Sequence, residues 1–163
     1  MTHIRPAQPA DVPVILAFVR ELATYEREPH AVLATEADLL RDGFGPQRYF
    51  ECLIAEEDGE PAGFALYLFN YSTWRGRPGI HLEDLFVRPH FRGRGLGKAL
   101  LTRVAAVAVE LQCARLQWDV LDWNQPAIDF YESLGAKFLD TWRIMRVSDD
   151  ALRELATEAE IAP

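Results

Sequence analysis

Three closely spaced glycines, Gly93, Gly95 and Gly97, stand near the middle of this 163-residue chain. They follow a strand-like segment and open an amphipathic helical pattern. Glycine lets a backbone close around a bound group, and the free amides at a helix N-terminus favour negative charge. These residue types in this order indicate a loop that holds phosphate groups.

The spacing of the loop excludes two common phosphate-binding motifs. A P-loop has four residues between its first glycine and Gly-Lys-Ser/Thr, but Arg92 stands at that first position and Ala99 lacks the hydroxyl that binds magnesium. A dinucleotide fingerprint reads G-x-G-x-x-G near the start of a βαβ unit, whereas this loop reads G-x-G-x-G past the midpoint of the chain. A different phosphate-bearing ligand is therefore required.

Hydrophobic periodicity, caps and turn residues predict the elements that hold this loop. We expect strands at residues 3–5, 50–56, 62–70, 80–87 and 116–121, with strand-like pieces at 137–139 and 143–147. We expect helices from the Asp11 cap to about Tyr25, from the Thr35 cap to the Asp42-Gly43 stop, at 96–111, from Asn124 to Gly135, and at 148–158. Asp58-Gly59 predicts a hairpin turn between the second and third strands. The order mixes an antiparallel hairpin with later parallel crossovers, which is typical of an α/β (α+β) fold.

Composition sets further limits on function. No repeat or linker divides the chain, which predicts a single domain over residues 1–163. The formal charge of −8 argues against nucleic-acid binding and favours a cationic substrate. Apolar runs are short and no signal-type region follows the N-terminal residues, so we expect no membrane association and a cytoplasmic protein. The two cysteines and four histidines lack ligand spacing, so we expect no metal.

With its flanks, the loop Arg92–Gly97 resembles the acyl-CoA-binding motif of the GNAT N-acetyltransferase superfamily. The resemblance is tighter to the diamine (spermidine/spermine) N1-acetyltransferase family and its thialysine-acetylating relatives. It rests on Tyr25-Glu26, Asp42-Gly43-Phe44-Gly45, Phe69-Asn70-Tyr71 with Trp74, Leu82 to Val87, Trp123 to Ala127, and Phe130-Tyr131 with Gly135-Ala136. It implies acetyl-CoA as cosubstrate, a small amine as the other substrate, and a homodimer. It also implies the GNAT fold, a twisted, mostly antiparallel mixed sheet of six to seven strands flanked by about four helices.

The resemblance also implies two sets of site residues. Those implied to contact the cofactor are Leu85, Phe86, Val87, Arg92, Gly93, Arg94, Gly95, Leu96, Gly97, Lys98, Asn124, Gln125, Pro126, Ala127 and Tyr131. Those implied to line the amine site are Tyr25, Glu26, Glu83, Asp84, Gln117, Trp118, Asp119 and Asp140. The segment Gln117-Trp118-Asp119 departs from the polyamine enzyme, which leaves a polyamine and a lysine-like amino acid such as thialysine both open.

Acetyl transfer to an amine poses two proton problems. An alkylammonium with a pKa near 10 must lose a proton before it attacks, and the departing thiolate is helped by gaining one. We assign the first task to Glu83, directly or through water, with Asp84 adding negative potential, and the second to Tyr131. A backbone N–H near Phe86 would stabilise the oxyanion.

Other interpretations remain at this point. Neighbouring residues of a strand point to opposite faces, so Glu83 and Asp84 share a cleft only if a bulge intervenes. Tyr131 follows Phe130 and could be a core aromatic, and the four tryptophans could be packing rather than a substrate wall. The enzyme could acetylate a protein or an antibiotic amine, or the chain could be a non-catalytic CoA-binding sensor.

Overall fold

The computed structural model describes residues 1–160, whose contacts divide into two compact units, Met1–Asp119 and the residues from Val120 onward. The first unit is built on a five-stranded sheet in the order β1-β2-β3-β4-β5. Its strands are β1 (Thr2–Pro6), β2 (Glu51–Glu57), β3 (Glu60–Ser72), β4 (Arg77–Val87) and β5 (Leu116–Gln117). The first four pair antiparallel, and β5 runs parallel to β4. The predicted mixed, mostly antiparallel sheet is thus confirmed.

The β2–β3 hairpin turns at Asp58 and Gly59, as predicted. Their φ angles are 51° and 83°, in the left-handed region that glycine adopts freely and that aspartate tolerates better than most residues. Turns with positive φ match the twist of paired strands, which explains why this dipeptide closes the hairpin.

Two helices cover one face of the sheet, and we call this face the α1 face. They are α1 (Val12–Tyr25) and α2 (Glu36–Phe44). The predicted capping box begins α2, since Oγ1 of Thr35 accepts from the Asp38 N–H at 3.2 Å and the Asp38 carboxylate accepts from the Thr35 N–H at 3.0 Å. The opposite face is covered by α3 (Leu96–Glu110), which packs on β3 and β4.

The core under the α1 face is centred on Phe18, whose side chain is fully buried. Its ring stacks on Phe64 with centroids 5.3 Å apart and lies 6.2 Å from the ring of Phe86. The guanidinium of Arg88 lies 4.7 Å from the Phe18 centroid and donates to the Glu21 carboxylate at 2.8 Å. Aromatic packing and an ion pair therefore both tie α1 to the end of β4.

The second unit contains α4 (Gln125–Ser133) and α5 (Asp149–Thr157). The predicted start of α4 is confirmed, because the Asn124 side chain accepts from the Ala127 N–H at 3.4 Å. The predicted closing helix is also confirmed, and every residue of α5 is exposed.

Some predicted strands are wrong. The described residues hold five strands and five α-helices, against six to seven strands and about four helices expected. β5 ends at Gln117 rather than at residue 121, and residues 137–139 and 143–147 form no strand. The apolar side chains of Trp142, Ile144 and Met145 are 70%, 70% and 94% exposed. Residues 143–147 are strand-like in sequence, but within residues 1–160 no strand pairs with this segment.

No helix within residues 1–160 combines the length and the apolar character needed to cross a membrane. The prediction of a single domain over residues 1–163 stays a prediction, and residues 161–163 lie outside the described part of the chain.

Phe18→Ala should lower the free energy of unfolding by about 3–5 kcal/mol, because it removes a buried ring from between α1 and the sheet. The change is measured by urea denaturation. Val109→Ala removes a side chain that is 78% exposed on α3 and should change the free energy by no more than about 0.5 kcal/mol. If the two variants lose similar amounts of unfolding free energy, the packing around Phe18 does not make the main contribution to the stability of the core.

Candidate functional site

An extra residue interrupts the pairing of β4 with β3. Asp84 lies opposite Leu66 and Leu82 lies opposite Tyr67, so Glu83 has no partner on β3. Such a β-bulge resets the alternation of side chains along the strand that carries it. As a result, Leu82 and Asp84 lie on opposite faces of the sheet, although two residues of a regular strand at this spacing share a face.

The bulge brings the two acidic side chains to the same face. Asp84 is on the α1 face, because its cross-strand partner Leu66 belongs to the core packed against α1. Oε2 of Glu83 lies 3.5 Å from Nε2 of His81, whose partner Leu68 is also on this face. Opposite faces were expected unless a bulge intervened, and a bulge is what the structure contains.

His81 is a neighbour of the site that the sequence analysis missed. The histidines lack metal-ligand spacing, but the i, i+2 spacing of His81 and Glu83 on a strand already predicts that they share a face.

The carboxylates on the α1 face, Glu83, Asp84 and Glu26, form an acidic face, and the pKa of Asp84 is raised there. Burial, followed by the negative charges of Glu83 and Glu26, raises the pKa of Asp84 to about 7. Glu26 caps the C-terminus of α1, and burial raises its pKa as well. Within residues 1–160, no group donates a hydrogen bond to the Asp84 carboxylate. This arrangement lowers the cost of binding a cation and favours a carboxyl group that titrates near neutrality.

The edge of β4 opens just beyond the bulge. β5 pairs only with Ile80 and His81, so no described strand covers residues 82–87 on that side. The Arg88 N–H points toward β3, where it donates to Ala62 O at 2.9 Å. Because the backbone N–H and C=O groups of successive residues alternate in direction along a strand, those of Leu85 and Val87 point toward the open edge. An extended ligand with amide groups could add here like a strand.

Phe86 differs from its two neighbours. Its carbonyl oxygen points toward β3, where a Cβ placed on Gly63 would lie 2.4 Å from it. The open-edge N–H groups near the bulge therefore belong to Leu85 and Val87, and Phe86 contributes its ring to the core. Glycine at position 63 is required by this close approach.

The glycine loop has the backbone that its sequence predicts. Gly93 and Gly95 have φ angles of 76° and 82°, and Gly95 precedes the first residue of α3 with no side-chain cap. The first-turn amides of α3, at Leu96, Gly97 and Lys98, thus begin the helix without a capping side chain. A phosphate group is suited to such a helix terminus.

The side chains of the two loop arginines donate to backbone carbonyls outside the Gly93–Gly97 segment. Arg92 donates from Nε to Val87 O at 2.9 Å, and its guanidinium lies 5.1 Å from the Tyr25 centroid and 5.7 Å from that of Phe86. Arg94 donates to His90 O at 3.4 Å. Arg92 therefore connects the open edge of β4 to the end of α1, where Tyr25 and Glu26 lie.

The remaining predicted site residues fall in two places. In the first unit, Gln117 ends β5, and Trp118 and Asp119 follow it. In the second unit, Tyr131 lies on α4, partly buried, with its ring 5.2 Å from that of Phe130. The same unit holds Asn124 at the cap of α4, Gln125, Pro126 and Ala127 in its first turn, and an exposed Asp140. Within the described residues, no group of three or more acidic, histidine or cysteine side chains could hold a metal ion.

Comparison with known proteins connects this geometry to an activity. The chain is 43% identical to a thialysine N-epsilon-acetyltransferase of Bos taurus over 94% of this chain and 96% of that one. It is 38% identical to the spermidine/spermine N(1)-acetyltransferase-like protein 1 of Homo sapiens over 96% of this chain and 24% of that one. An integron cassette protein of V. cholerae superposes with a TM-score of 0.80 at 26% identity, over 95% of this chain and 97% of that one.

The family model of the acetyltransferase (GNAT) family matches residues 16–136, which include most of α1, the bulged β4, the glycine loop and α4. Members of this family use acetyl-CoA as cosubstrate, and the match at 43% identity to an amine acetyltransferase supports acetylation of a small amine. The chain belongs to the GNAT acetyltransferase family and is an acetyl-CoA-dependent N-acetyltransferase.

Proposed function

We propose that the enzyme transfers the acetyl group of acetyl-CoA to a primary amine of a small cationic substrate, either a polyamine or diamine or a lysine-like amino acid such as thialysine. The observation that carries the proposal is the bulge in β4, which presents Glu83 and Asp84 on one face, beside Glu26 and next to an open strand edge. A positive substrate and an extended acyl carrier would meet at this point.

The cofactor side of the site is mostly backbone. Leu85 and Val87 would pair with the amide-bearing arm of acetyl-CoA, with Phe86 between them packing into the core. The loop and first turn of α3, from Arg92 to Lys98, would hold the pyrophosphate. Support comes from the positive φ angles of Gly93 and Gly95 and from the uncapped start of α3. The residues proposed to contact the cofactor from the second unit are Asn124, Gln125, Pro126, Ala127 and Tyr131.

The amine side is made of side chains. Glu83 is 57% exposed and would hold the ammonium and assist its deprotonation, directly or through water. Tyr25 and Glu26 at the end of α1 would line the same side, and Arg92 supports the Tyr25 ring through a cation–π contact. The other residues proposed to line the amine site are Asp84, Gln117, Trp118, Asp119 and Asp140.

The reaction forms a nitrogen–carbon bond and breaks the carbon–sulfur bond of the thioester. Tyr131 would donate its phenolic proton to the departing thiolate as general acid. The N–H of Leu85 or Val87 at the open edge would stabilise the negative charge that develops on the thioester oxygen. We also propose that the enzyme acts as a homodimer, for which the exposed apolar side chains of Trp142, Ile144 and Met145 offer contact area.

An amine panel tests the function. We expect CoA release from acetyl-CoA with at least one of spermidine, putrescine, lysine and thialysine, because the acidic face suits a second positive charge or an amine on a flexible chain. The assay measures free thiol and identifies the acetylated product by mass spectrometry. Tight acetyl-CoA binding without turnover of these amines would instead indicate a sensor, and turnover of only a protein or an aminoglycoside would indicate a different acceptor.

Tyr131→Phe should lower kcat by about 10² or more while leaving acetyl-CoA affinity unchanged, because it removes the proton donor and keeps the ring. Steady-state kinetics and calorimetric titration measure the two quantities. Tyr49→Phe, at a position 62% exposed outside the site, is the matched control and should keep full activity. An unchanged kcat in Tyr131→Phe would remove this residue from the chemistry.

Asp84→Asn should stabilise the protein at alkaline pH. The pKa of Asp84 is raised to about 7 in the fold, against about 3.9 in an unfolded chain. The folded protein therefore keeps a proton that the unfolded chain loses, and this contribution to stability declines as the pH rises from about 4 to 7.

Asparagine does not titrate. Between pH 4 and pH 8, the difference in free energy of unfolding should move in favour of the variant by on the order of 2–4 kcal/mol. Urea denaturation across this pH range measures it, with Asp122→Asn as an exposed control. A difference that does not vary with pH would show that Asp84 is not buried against negative charge.

A further inference from the structure

Two carboxylates on the bulge have different surroundings, and this difference assigns them different tasks. We infer that Asp84 is the catalytic residue that receives the proton of the substrate ammonium, and that Glu83 assists the deprotonation by holding the ammonium in place. The inference rests on the proposed acetylation of a cationic amine and names the proton acceptor of that reaction.

The geometry separates the two groups. Glu83 is the unpaired residue of the bulge, more than half exposed and 3.5 Å from Nε2 of His81. Asp84 is partly buried, returns to the pairing register opposite Leu66, and lies on the α1 face. A substrate cation arriving from solvent meets the exposed carboxylate first and the inner one second.

The partners of the two groups also differ. Glu56 on β2 is paired with the guanidinium of Arg5 at 2.8 Å. Asp84 has no cation within hydrogen-bonding distance in residues 1–160. The groups that act on it are carboxylates, Glu83 beside it on β4 and Glu26 on α1. A carboxyl group that is left without a cation in the fold is free to bind the proton or the ammonium of a substrate.

Other titratable groups near Asp84 do not compensate its charge. Cys52 on β2 faces the same core, and the negative charge of Asp84 is among the causes that raise the pKa of this thiol, after burial and Asp11. His81 lies beside Glu83 on β4. The neighbouring β3 contributes the apolar Leu66.

Its pKa of about 7 suits Asp84 to the task, since a general base works best when its pKa is near the operating pH. In the step, the ammonium proton moves to a carboxylate oxygen of Asp84 and the nitrogen lone pair forms the new bond to the acetyl carbon. The electrons of the broken carbon–sulfur bond leave on sulfur, which takes the proton of Tyr131. As the intermediate collapses, the second proton that the nitrogen must lose passes to the Tyr131 oxygen, and Asp84 releases its proton to solvent, so that atoms and charge balance.

The pH dependence of kcat/KM for the amine tests this assignment. The wild-type enzyme should lose activity below about pH 7, where Asp84 becomes protonated. The substrate does not account for such a limb, because an alkylammonium titrates near pH 10. Glu26→Gln should move the limb to lower pH, because it removes one of the negative charges that hold the Asp84 proton.

Substitutions at the two carboxylates distinguish their roles. Asp84→Asn should lower kcat by about 10² or more and abolish the limb, and Asp84→Glu should restore part of the rate. Glu83→Gln should raise the KM for the amine more than it lowers kcat, and should keep a limb that is shifted to lower pH. Circular dichroism and acetyl-CoA titration verify that each variant is folded and binds the cofactor.

The opposite pattern would overturn the inference. If Glu83→Gln abolishes the limb while Asp84→Asn keeps both the limb and most of kcat, Glu83 is the acceptor. A limb unmoved by Glu26→Gln would also contradict the assignment. Failure of the proposed function would look different, since the wild-type enzyme would then acetylate none of the amines and would give no profile to compare.

Discussion

The β-bulge at Glu83 is the constraint on which the rest of the site depends. By inserting one residue into β4, it reverses the direction of every side chain and backbone group that follows. Asp84 and Phe86 come to the α1 face as a result, and Leu85 and Val87 turn their backbone groups to the open edge. Without the extra residue, the side chain of Phe86 would point away from Phe18, and the backbone groups of Leu85 and Val87 would point toward β3 instead of the open edge. One insertion thus sets both the core packing and the site.

The acidic face lowers the stability of the fold, and packing in the core compensates for this loss. Asp84 is partly buried beside Glu83 and Glu26 without a compensating cation, an arrangement that destabilises a fold at neutral pH. The neighbouring contacts act in the other direction, with Phe18 stacked on Phe64 and Arg88 paired with Glu21. Perturbed carboxyl groups of this kind are found where a protein binds or moves charge. The net charge of −8 extends the attraction for cations beyond the site.

Features set by neighbours in sequence could be predicted, and features set by strand pairing could not. The capping box of Thr35, the Asp58-Gly59 turn and the Asn124 cap depend on a few consecutive residues, and all three are present. The bulge depends on which residue of β3 faces each residue of β4, and nothing local in Leu82 to Leu85 specifies that register. The pKa of Asp84 depends first on its burial in the folded chain, then on Glu83 and on Glu26, which is far away in sequence, and so could not be predicted either. The expected strands at residues 137–139 and 143–147 failed for a related reason, because a strand-like run of residues does not supply a partner strand.

The division of the site into backbone and side chains explains why the cofactor was easier to predict than the amine. Phosphate and amide groups are proposed to be held by N–H and C=O groups, so their recognition requires glycines at fixed positions and leaves a strong motif around Gly93 and Gly95. The amine is proposed to be selected by side chains from separate elements, among them Tyr25 on α1, Glu83 on β4 and Trp118 after β5. Each of these positions can change without disturbing the glycine loop. A family of this design can therefore keep one acyl donor while its amine substrates diverge. The residues that select the amine lie outside the glycine motif and can vary independently of it.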